Sequence, residues 1–230
     1  MHATEVLRDI PLFKTLSDAG LSKLEARTSV RRVEEGETYI ASGDAQKAFA
    51  VVLAGQFKVY RVNDAGKEQI FAYARPGEVL GIGPITDPYR TAYANCTARV
   101  ATEVAEIDYA SLREVIASEP RFAVAMLNEQ SVRLSQMVKL VDQLSLKDAH
   151  NRLALWLDQW ISENHPDAVD DEELLVILPY TQSEIAAQIG TVREVVSRGF
   201  SRMEKDKIIH ASGKRVTVIN RAGLRKMASQ

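Results

Sequence analysis

Two helix-start signals lie only ten residues apart near the end of this 230-residue chain. Thr181 and Glu184 have the spacing of a capping box, in which each side chain bonds to the backbone amide of the other residue. Thr191 and Glu194 repeat that spacing. The first helix must therefore be short and must turn at Gly190. A short helix, a glycine turn and a longer helix form the helix-turn-helix pattern.

The second predicted helix separates into an apolar face and a polar face. Residues at positions i, i+4, i+8 and i+11 form an apolar stripe: Val192, Val196, Phe200 and Met203. Polar residues concentrate in the first two turns, the part of a recognition helix that enters a major groove: Arg193, Glu194, Ser197, Arg198 and Ser201. An arginine suits the N7 and O6 atoms of guanine, and a glutamate can accept a hydrogen bond from cytosine N4. The alternative is a helix that faces only water, in which Glu194 serves as a cap.

Two short strands are predicted after this helix. Residues 208–210 and 216–219 are rich in strand formers and flank a Ser-Gly turn, which indicates the wing of a winged helix. Lys214 and Arg215, at the end of that turn, would lie against DNA phosphates, contacts that position a protein without reading sequence. A further short strand is predicted for residues 174–178.

The net charge of the chain, -2, hides an uneven distribution. Residues 179–230 contain ten lysines and arginines and four acidic residues, a net charge of +6. The rest of the chain therefore carries -8. The C-terminal segment has the basic character of a nucleic-acid-binding surface, although the whole-chain average does not.

The first part of the chain reads as a series of short strands joined by tight turns. Residues 48–62 are rich in strand formers, and residues 63–66 (Asn-Asp-Ala-Gly) fit a hairpin turn. Glycines recur every 7 to 12 residues, at Gly36, Gly43, Gly55, Gly66 and Gly77. This spacing predicts a small antiparallel roll from about Val30 to Ile107, after a helical lead from Leu16 to Ala26.

A long helix is predicted from Ser111 to about Ser145, with Pro120 as its only proline. Two rows of residues spaced by seven form an a/d seam with a polar interruption at Gln130: Leu127, Leu134 and Val141, and Ala123, Gln130, Met137 and Leu144. The helix could pack on its own roll or pair with a second copy as a parallel coiled coil. The dimer is favoured because the seam is longer than a small roll needs.

These elements define an α+β fold class: an N-terminal antiparallel β-roll, a long dimerisation helix and a C-terminal winged helix-turn-helix. The predicted domains are residues 1–110, 111–146 and 147–230. The last begins with a helix from Asp148 to Glu163.

The chain resembles the catabolite activator (CRP/FNR) family of bacterial transcription regulators over nearly its whole length. The glycine-punctuated roll resembles the family's cyclic-nucleotide-binding-like jelly roll, with residues 77–81 and 104–107 as its matching strands. Residues 148–152 are similar to the hinge after the family's dimer helix. The most specific match is the recognition helix, Arg193-Glu194-x-x-Ser197-Arg198, which follows Thr181-Gln182-x-Glu184-Ile185-Ala186.

The resemblance implies a homodimer that binds double-stranded DNA at a palindromic operator and acts on RNA polymerase. Arg193, Glu194 and Arg198 match the positions that read a TGTGA-like half-site, and Ser197 matches the FNR branch, whose sites are TTGAT-like. The half-site expected is GTG or TTG followed by A. The full set of predicted DNA-binding residues is Arg193, Glu194, Ser197, Arg198, Thr181, Gln182, Thr191 and Lys214.

The resemblance leaves the effector open. In members that bind cyclic nucleotides, a glycine–glutamate pair holds the ribose, an arginine followed by serine or threonine holds the phosphate, and the dimer helix supplies hydroxyls. Here Arg90 and Thr91 fit the phosphate element, but Ile82 stands in the glutamate position and Met137 in a hydroxyl position. Cyclic AMP, a different effector, haem or no ligand are all compatible with the predicted pocket residues, Gly81, Ile82, Arg90, Thr91, Ala92 and Met137.

Residue types exclude one branch of sensor chemistry and disfavour another. An iron–sulfur cluster needs four cysteines, and the chain has only Cys96. Cys96 is expected to be a buried hydrophobe in a roll strand rather than a redox switch. Haem is less favoured because the histidines lie outside the predicted roll, at His2, His150, His165 and His210.

Other classes of protein fit the sequence less well. There is no catalytic pairing, metal-ligand cluster or P-loop, so an enzyme is not expected. No apolar run is long enough for a membrane span, and charged residues interrupt the N-terminal segment, so a cytoplasmic location is expected. The remaining alternative is a ligand-binding regulatory module that acts on a protein partner, with the winged helix as its docking surface.

Overall fold

The computed structural model describes residues 7–87, 89, 91–169 and 172–229. The chain forms two compact units, the first comprising Met1–Arg61 and Phe71–Gln136 and the second Val62–Ile70 and Met137–Gln230. The strands are β1 Thr28–Val33, β2 Thr38–Ile40, β3 Phe49–Ala54, β4 Phe57–Val62, β5 Glu68–Ala74, β6 Val79–Leu80, β7 Asn95–Ala98, β8 Thr102–Ile107, β9 Leu174–Ile177, β10 Ile209–Ser212 and β11 Arg215–Val218. A 3₁₀-helix covers Pro11–Thr15, and the α-helices are α1 Asp18–Glu25, α2 Gly83–Thr86, α3 Tyr109–Ser118, α4 Pro120–Leu146, α5 Ala149–Asn164, α6 Gln182–Gln188, α7 Arg193–Lys205 and α8 Arg221–Ala228.

The first eight strands form the predicted antiparallel roll as two four-stranded sheets, in the orders β1-β8-β3-β6 and β2-β7-β4-β5. The longest antiparallel register runs from the pair Thr28 and Ile107 to the pair Val33 and Thr102. The hairpin between β4 and β5 turns where the sequence predicted. Gly66 has a φ of +77°, which an L side chain disfavours, and the amide of Asn63 donates to the carbonyl of Lys67 at 3.0 Å.

Strand β3 is buried on both faces, which explains its continuous apolar run. Phe49 and Val51 belong to a cluster with the surrounding helices, while Ala50 and Val52 belong to a second cluster with the facing sheet. Successive side chains of a strand point to opposite faces, so a strand covered on both sides must be apolar throughout. Cys96 lies in the second cluster and is buried, and burial raises the pKa of its thiol to about 12. The prediction of a buried cysteine in a roll strand is confirmed.

The long helical segment divides at Pro120, which begins α4. The exposed apolar residues of α4 include the first predicted row, Leu127, Leu134 and Val141, together with Val124 and Val138. In the second predicted row, Ala123 and Met137 are partly buried, whereas Gln130 and Leu144 are exposed; Val124, Ser131 and Val138, each one position later than the first three residues of that row, are all exposed. The exposed a/d positions therefore run Val124, Leu127, Ser131, Leu134, Val138 and Val141.

In the second unit, α5 is preceded by an N-cap at Asp148 and α8 packs closely against α5. The strands β10, β11 and β9 form an antiparallel sheet in that order, which confirms the wing and the additional predicted strand. The guanidinium of the buried Arg221 joins α8 to α5 through Asp158 at 3.1 Å.

The N-cap at Asp148 provides a test of how this segment is stabilised. One carboxylate oxygen accepts the amides of His150 and Asn151, each at 2.8 Å, and these bonds, chiefly that from Asn151, lower the pKa of the carboxyl group. We expect Asp148→Ala to lower the free energy of unfolding by about 1 kcal/mol at neutral pH in urea titrations.

The pH dependence follows from the direction of the shift. A carboxyl group with a lowered folded pKa contributes stability above its unfolded pKa, about 3.9, and that contribution is lost as the pH falls through the folded pKa. The difference between wild type and Asp148→Ala should therefore shrink in acid. Asp148→Asn should retain most of the stability, and Asp167→Ala, an exposed position in the same unit, should change little. A pH-independent loss for Asp148→Ala would contradict this account.

Candidate nucleic-acid interface and effector cavity

The first helix of the helix-turn-helix begins with the predicted capping box. The amide of Glu184 donates to the Thr181 hydroxyl at 3.2 Å, and the amide of Thr181 donates to the Glu184 carboxylate at 2.7 Å. The Thr181 hydroxyl also donates to that carboxylate, at 3.0 Å. Gln182, the first residue of α6, is partly buried. The capping box fixes the start of α6.

The second predicted capping box does not form. Gly190 adopts a φ of +69°, and the amide of Thr191 donates to the carbonyl of Ala186 at 2.9 Å, which closes the end of α6. Thr191 is thereby part of the turn, and Val192, in an extended conformation, becomes the N-cap of α7 without a side-chain cap bond. Glu194 remains in the first turn of α7 and is exposed.

The two faces of α7 separate largely as predicted. Val196, Phe200 and Met203 are buried, but Val192 is 47% exposed because it precedes the helix instead of forming its first turn. Gly199 completes the buried face, since a Cβ atom there would meet the side chains of Leu153 and His150 on α5. The polar residues predicted to face outward are all exposed: Arg193, Glu194, Ser197, Arg198 and Ser201.

Four of these exposed side chains have no partner within the described part of the chain. The side chains of these four residues, Arg193, Glu194, Ser197 and Arg198, form no hydrogen bond and no ion pair with another described residue. Arg193, the first residue of α7, is also disfavoured by the helix dipole, whose positive end lies there. The two arginines therefore contribute nothing evident to the fold, and their arrangement suits an anionic partner.

Residues of α5 hold the end of α6 in place. Arg152 donates through Nε to the carbonyl of Ile189 at 2.7 Å and through Nη1 to that of Lys147 at 2.6 Å. Trp156 donates to the Gln188 side chain at 3.0 Å, and its ring packs edge-on against Tyr180. The sequence patterns did not assign these roles. An arginine and a tryptophan on one face of a predicted helix were the available signal.

The wing places basic side chains at an exposed turn. Lys214 lies between β10 and β11 and is exposed, as is Arg215, while the carbonyl of Lys214 accepts the amide of Leu178 at 2.8 Å. The carboxylate of Glu204, near the end of α7, accepts the amide of Ala211 at 2.8 Å. The wing is thus attached to α7 through one side chain.

The first unit contains a cavity of about 320 Å³ beside the roll. Its lining includes three of the predicted pocket residues, Gly81, Ile82 and Thr91. Ala92 is buried but outside the lining, and its amide instead donates to the carbonyl of Asp44 at 2.8 Å. Met137, which the sequence placed at the pocket, is not in the lining and falls in the second unit. Arg90 lies outside the described residues.

Four polar residues that line this cavity were not among the predicted pocket residues: Gln46, Tyr93, Gln130 and Arg133. Gln130 and Arg133 continue a stripe of α4 that begins with the buried Phe122 and Met126, at positions i, i+4, i+8 and i+11. That spacing could have identified them. The guanidinium of Arg133 donates to the carbonyl of Val79. The contribution of α4 to the cavity therefore lies one turn before Met137.

Comparison with known proteins matches both parts of the chain. A cyclic nucleotide-binding domain model matches residues 30–119, and a Crp-like helix-turn-helix domain model matches residues 151–227. The probable transcriptional regulator flp of Lacticaseibacillus casei is 27% identical over 211 residues, which cover 92% of each chain. The cAMP-activated global transcriptional regulator Vfr of Pseudomonas aeruginosa is 28% identical over 207 residues, covering 86% of this chain and 92% of that protein.

A solved structure agrees in fold. The structure of a CooA mutant from Carboxydothermus hydrogenoformans has a TM-score of 0.76 at 19% identity and covers 99% of this chain and 96% of its own. None of the helices in the described part of the chain is long and apolar enough to span a membrane. Within the same ranges, no three histidine, cysteine or acidic side chains are grouped to hold a metal ion.

A sensing roll and a winged helix-turn-helix with these matches define a DNA-binding transcription regulator. The relatives are regulators and not enzymes, and they indicate that this chain binds DNA and dimerises. The chain belongs to the CRP/FNR family.

The turn between α6 and α7 provides a second test. Gly190→Ala forces a left-handed conformation on an L residue, at about 1–2 kcal/mol, and its Cβ atom would overlap the side chain of Leu144. Gly213→Ala is the matched control, because Gly213 has a φ of +63° but open space around it. We expect the Gly190 variant to lose at least about 1 kcal/mol more stability in urea titrations. Equal losses would show that crowding at Gly190 is unimportant.

Proposed function

We propose that a homodimer of this chain recognises a palindromic operator, with α7 of each protomer in the major groove of one half-site. The observation that carries the proposal is the exposed row of Arg193, Glu194, Ser197 and Arg198 without partners in the described part of the chain. Such a row leaves its donors and acceptors available to the base edges of a DNA groove.

Each residue has a proposed role in the half-site, GTG or TTG followed by A. Arg193 and Arg198 bond guanine edges, and Glu194 accepts from a cytosine N4 group on the opposite strand. Ser197 supplies the smaller contact that favours a TTGAT-like site. Backbone-phosphate contacts come from the start of each helix and from the wing, at Thr181, Gln182, Thr191 and Lys214.

The proposed dimer interface is the exposed apolar row of α4. Leu127 and Leu134 are 68% and 67% exposed, which is costly in water for large aliphatic side chains. Their spacing by seven residues is that of a coiled-coil seam. Adjacent half-sites on one face of DNA have centres about 34–36 Å apart, so the dimer must hold its two recognition helices at that separation.

We further propose that a small molecule in the cavity of the first unit regulates DNA binding. The functional division is residues 1–110 for sensing, 111–146 for dimerisation and 147–230 for DNA binding. The regulator would act on RNA polymerase, as the family resemblance implies, in the cytoplasm where its DNA lies. Regulation requires the effector to bind one arrangement of the dimer more tightly than another.

The recognition assignment predicts the effect of single substitutions. Arg193→Ala and Arg198→Ala should each weaken binding to a TGTGA- or TTGAT-type palindrome by about 5- to 150-fold, because one bidentate arginine–guanine contact is lost. Binding to unrelated DNA should change little. Fluorescence anisotropy with labelled duplexes measures both affinities.

Arg202→Ala is the matched control, since Arg202 is exposed on the same helix but lies later in it and pairs with Asp206. Intact specific binding by both Arg193→Ala and Arg198→Ala would refute the assignment. The affinity of the wild type should also fall steeply with added salt as counterions are released. A flat salt response would instead favour a module that docks on a protein partner.

The dimer assignment is tested in the absence of DNA. Leu134→Glu introduces a charge into the proposed seam and should raise the dimer dissociation constant by at least about tenfold, since the charge would have to be buried. Gln136→Glu, exposed on the same helix outside the seam, should leave it unchanged. Analytical ultracentrifugation distinguishes the two. A dimeric Leu134→Glu variant would place the interface elsewhere.

A further inference from the structure

The charge on the described part of the cavity wall comes from one residue. Arg133 is the only charged side chain among the described residues that line it. No carboxylate of the described chain forms an ion pair with Arg133, and its one hydrogen bond is to the carbonyl of Val79. A partly buried guanidinium with donors to spare and no acidic partner favours an anionic ligand.

A second polar group of the cavity is incompletely satisfied. The Oε1 atom of Gln46 is buried and has no hydrogen-bond donor among the described residues. A buried acceptor without a donor costs free energy, and a ligand hydroxyl or N–H group would recover it. The described lining therefore presents a cationic donor in Arg133 and an unsatisfied neutral acceptor in Gln46.

The rest of the described wall combines aliphatic and polar side chains. Ile40, Val59, Leu80 and Ile82 contribute the aliphatic part, and Thr91, Tyr93 and Gln130 contribute the polar part. The side chain of Ile82 has no group that could accept a hydrogen bond from the hydroxyls of a sugar. The aliphatic part of the wall suits a ligand with a compact apolar body.

We propose that the effector is a small carboxylate with an apolar body and one hydrogen-bond donor. The Arg133 guanidinium binds the carboxylate, and Gln46 Oε1 accepts from the donor. A guanidinium can bind a carboxylate through two parallel N–H···O hydrogen bonds. This inference rests on the proposed regulatory function of the cavity and specifies the ligand's chemistry.

The test uses the full-length protein and two sets of three probes, measured by isothermal titration calorimetry. The acids 4-hydroxybenzoate and 2-hydroxy-4-methylpentanoate are compared with their neutral amides, and with benzoate and 4-methylpentanoate, which lack the hydroxyl donor. At least one hydroxy acid should bind about tenfold or more tightly than its amide, and more tightly than its deoxy analogue. Cyclic AMP is included as a competitor and should bind more weakly than that acid.

Variants test whether Arg133 causes the preference for the acid over its amide and Gln46 the preference for the hydroxy acid over its deoxy analogue. Arg133→Gln should abolish the preference for acid over amide, whereas Arg133→Lys should retain part of it. Arg121→Gln, an exposed position on the same helix, should bind the acid as the wild type does. Gln46→Leu should abolish the preference for the hydroxy acid over its deoxy analogue while leaving the preference for charge intact. Thermal unfolding and operator binding show that each variant is folded.

Three results would overturn the inference: no acid preferred over its amide at millimolar concentration, cyclic AMP bound more tightly than every acid, or an unchanged acid preference in Arg133→Gln. If any of these results is obtained while operator binding is intact, the carboxylate effector is rejected and the proposed DNA-binding function is retained. Loss of specific operator binding by the wild type rejects the proposed function instead. The two failures are therefore distinguishable.

Discussion

The left-handed backbone at Gly190 determines which side chains of α7 face outward. With a φ of +69° at this residue, the amide of Thr191 reaches the carbonyl of Ala186, and α6 ends abruptly. The guanidinium of Arg152 satisfies the carbonyl of Ile189, the residue before the turn, at 2.7 Å. Helix ends leave carbonyls without intrahelical partners, so these two bonds complete α6 and fix where α7 can begin. The exposed row from Arg193 to Arg198 follows from that starting point.

Local sequence patterns were sufficient where a structure depends on neighbouring residues alone. The capping box of Thr181 and Glu184, the hairpin turn at Gly66 and the wing strands all formed as predicted. The same pattern failed at Thr191, because closing the preceding helix placed that residue in the turn. Val192 consequently precedes α7 and is exposed. A cap signal identifies a residue that can begin a helix, but the preceding helix decides whether it does.

The long helix α4 shows why burial cannot be assigned from spacing alone. A seven-residue repeat is compatible with more than one phase of a helix, and Gln130 fits one row of it as well as Ser131 fits another. Packing in the first unit resolves the ambiguity, since Phe122 and Met126 are buried and Gln130 and Arg133 line the cavity. The partial burial of Ala123 and Met137 in the predicted seam and the omission of Arg133 therefore have a common cause. The apolar residues left exposed by this phase are the ones available for a second copy of the chain.

The arginines of the chain divide into those that stabilise the fold and those that remain available to a ligand. Arg221 is buried and bonds to Asp158, Ser162 and the carbonyl of Ala168, so its charge is neutralised within the protein. Arg133 lacks an acidic partner, and Arg193 and Arg198 lack side-chain partners altogether within the described residues. Holding a cation in a partly buried cavity or at the positive end of a helix costs free energy in the unliganded protein. That cost is recovered when an anion binds, so both sites are suited to negatively charged ligands: a small acid at Arg133 and DNA at α7.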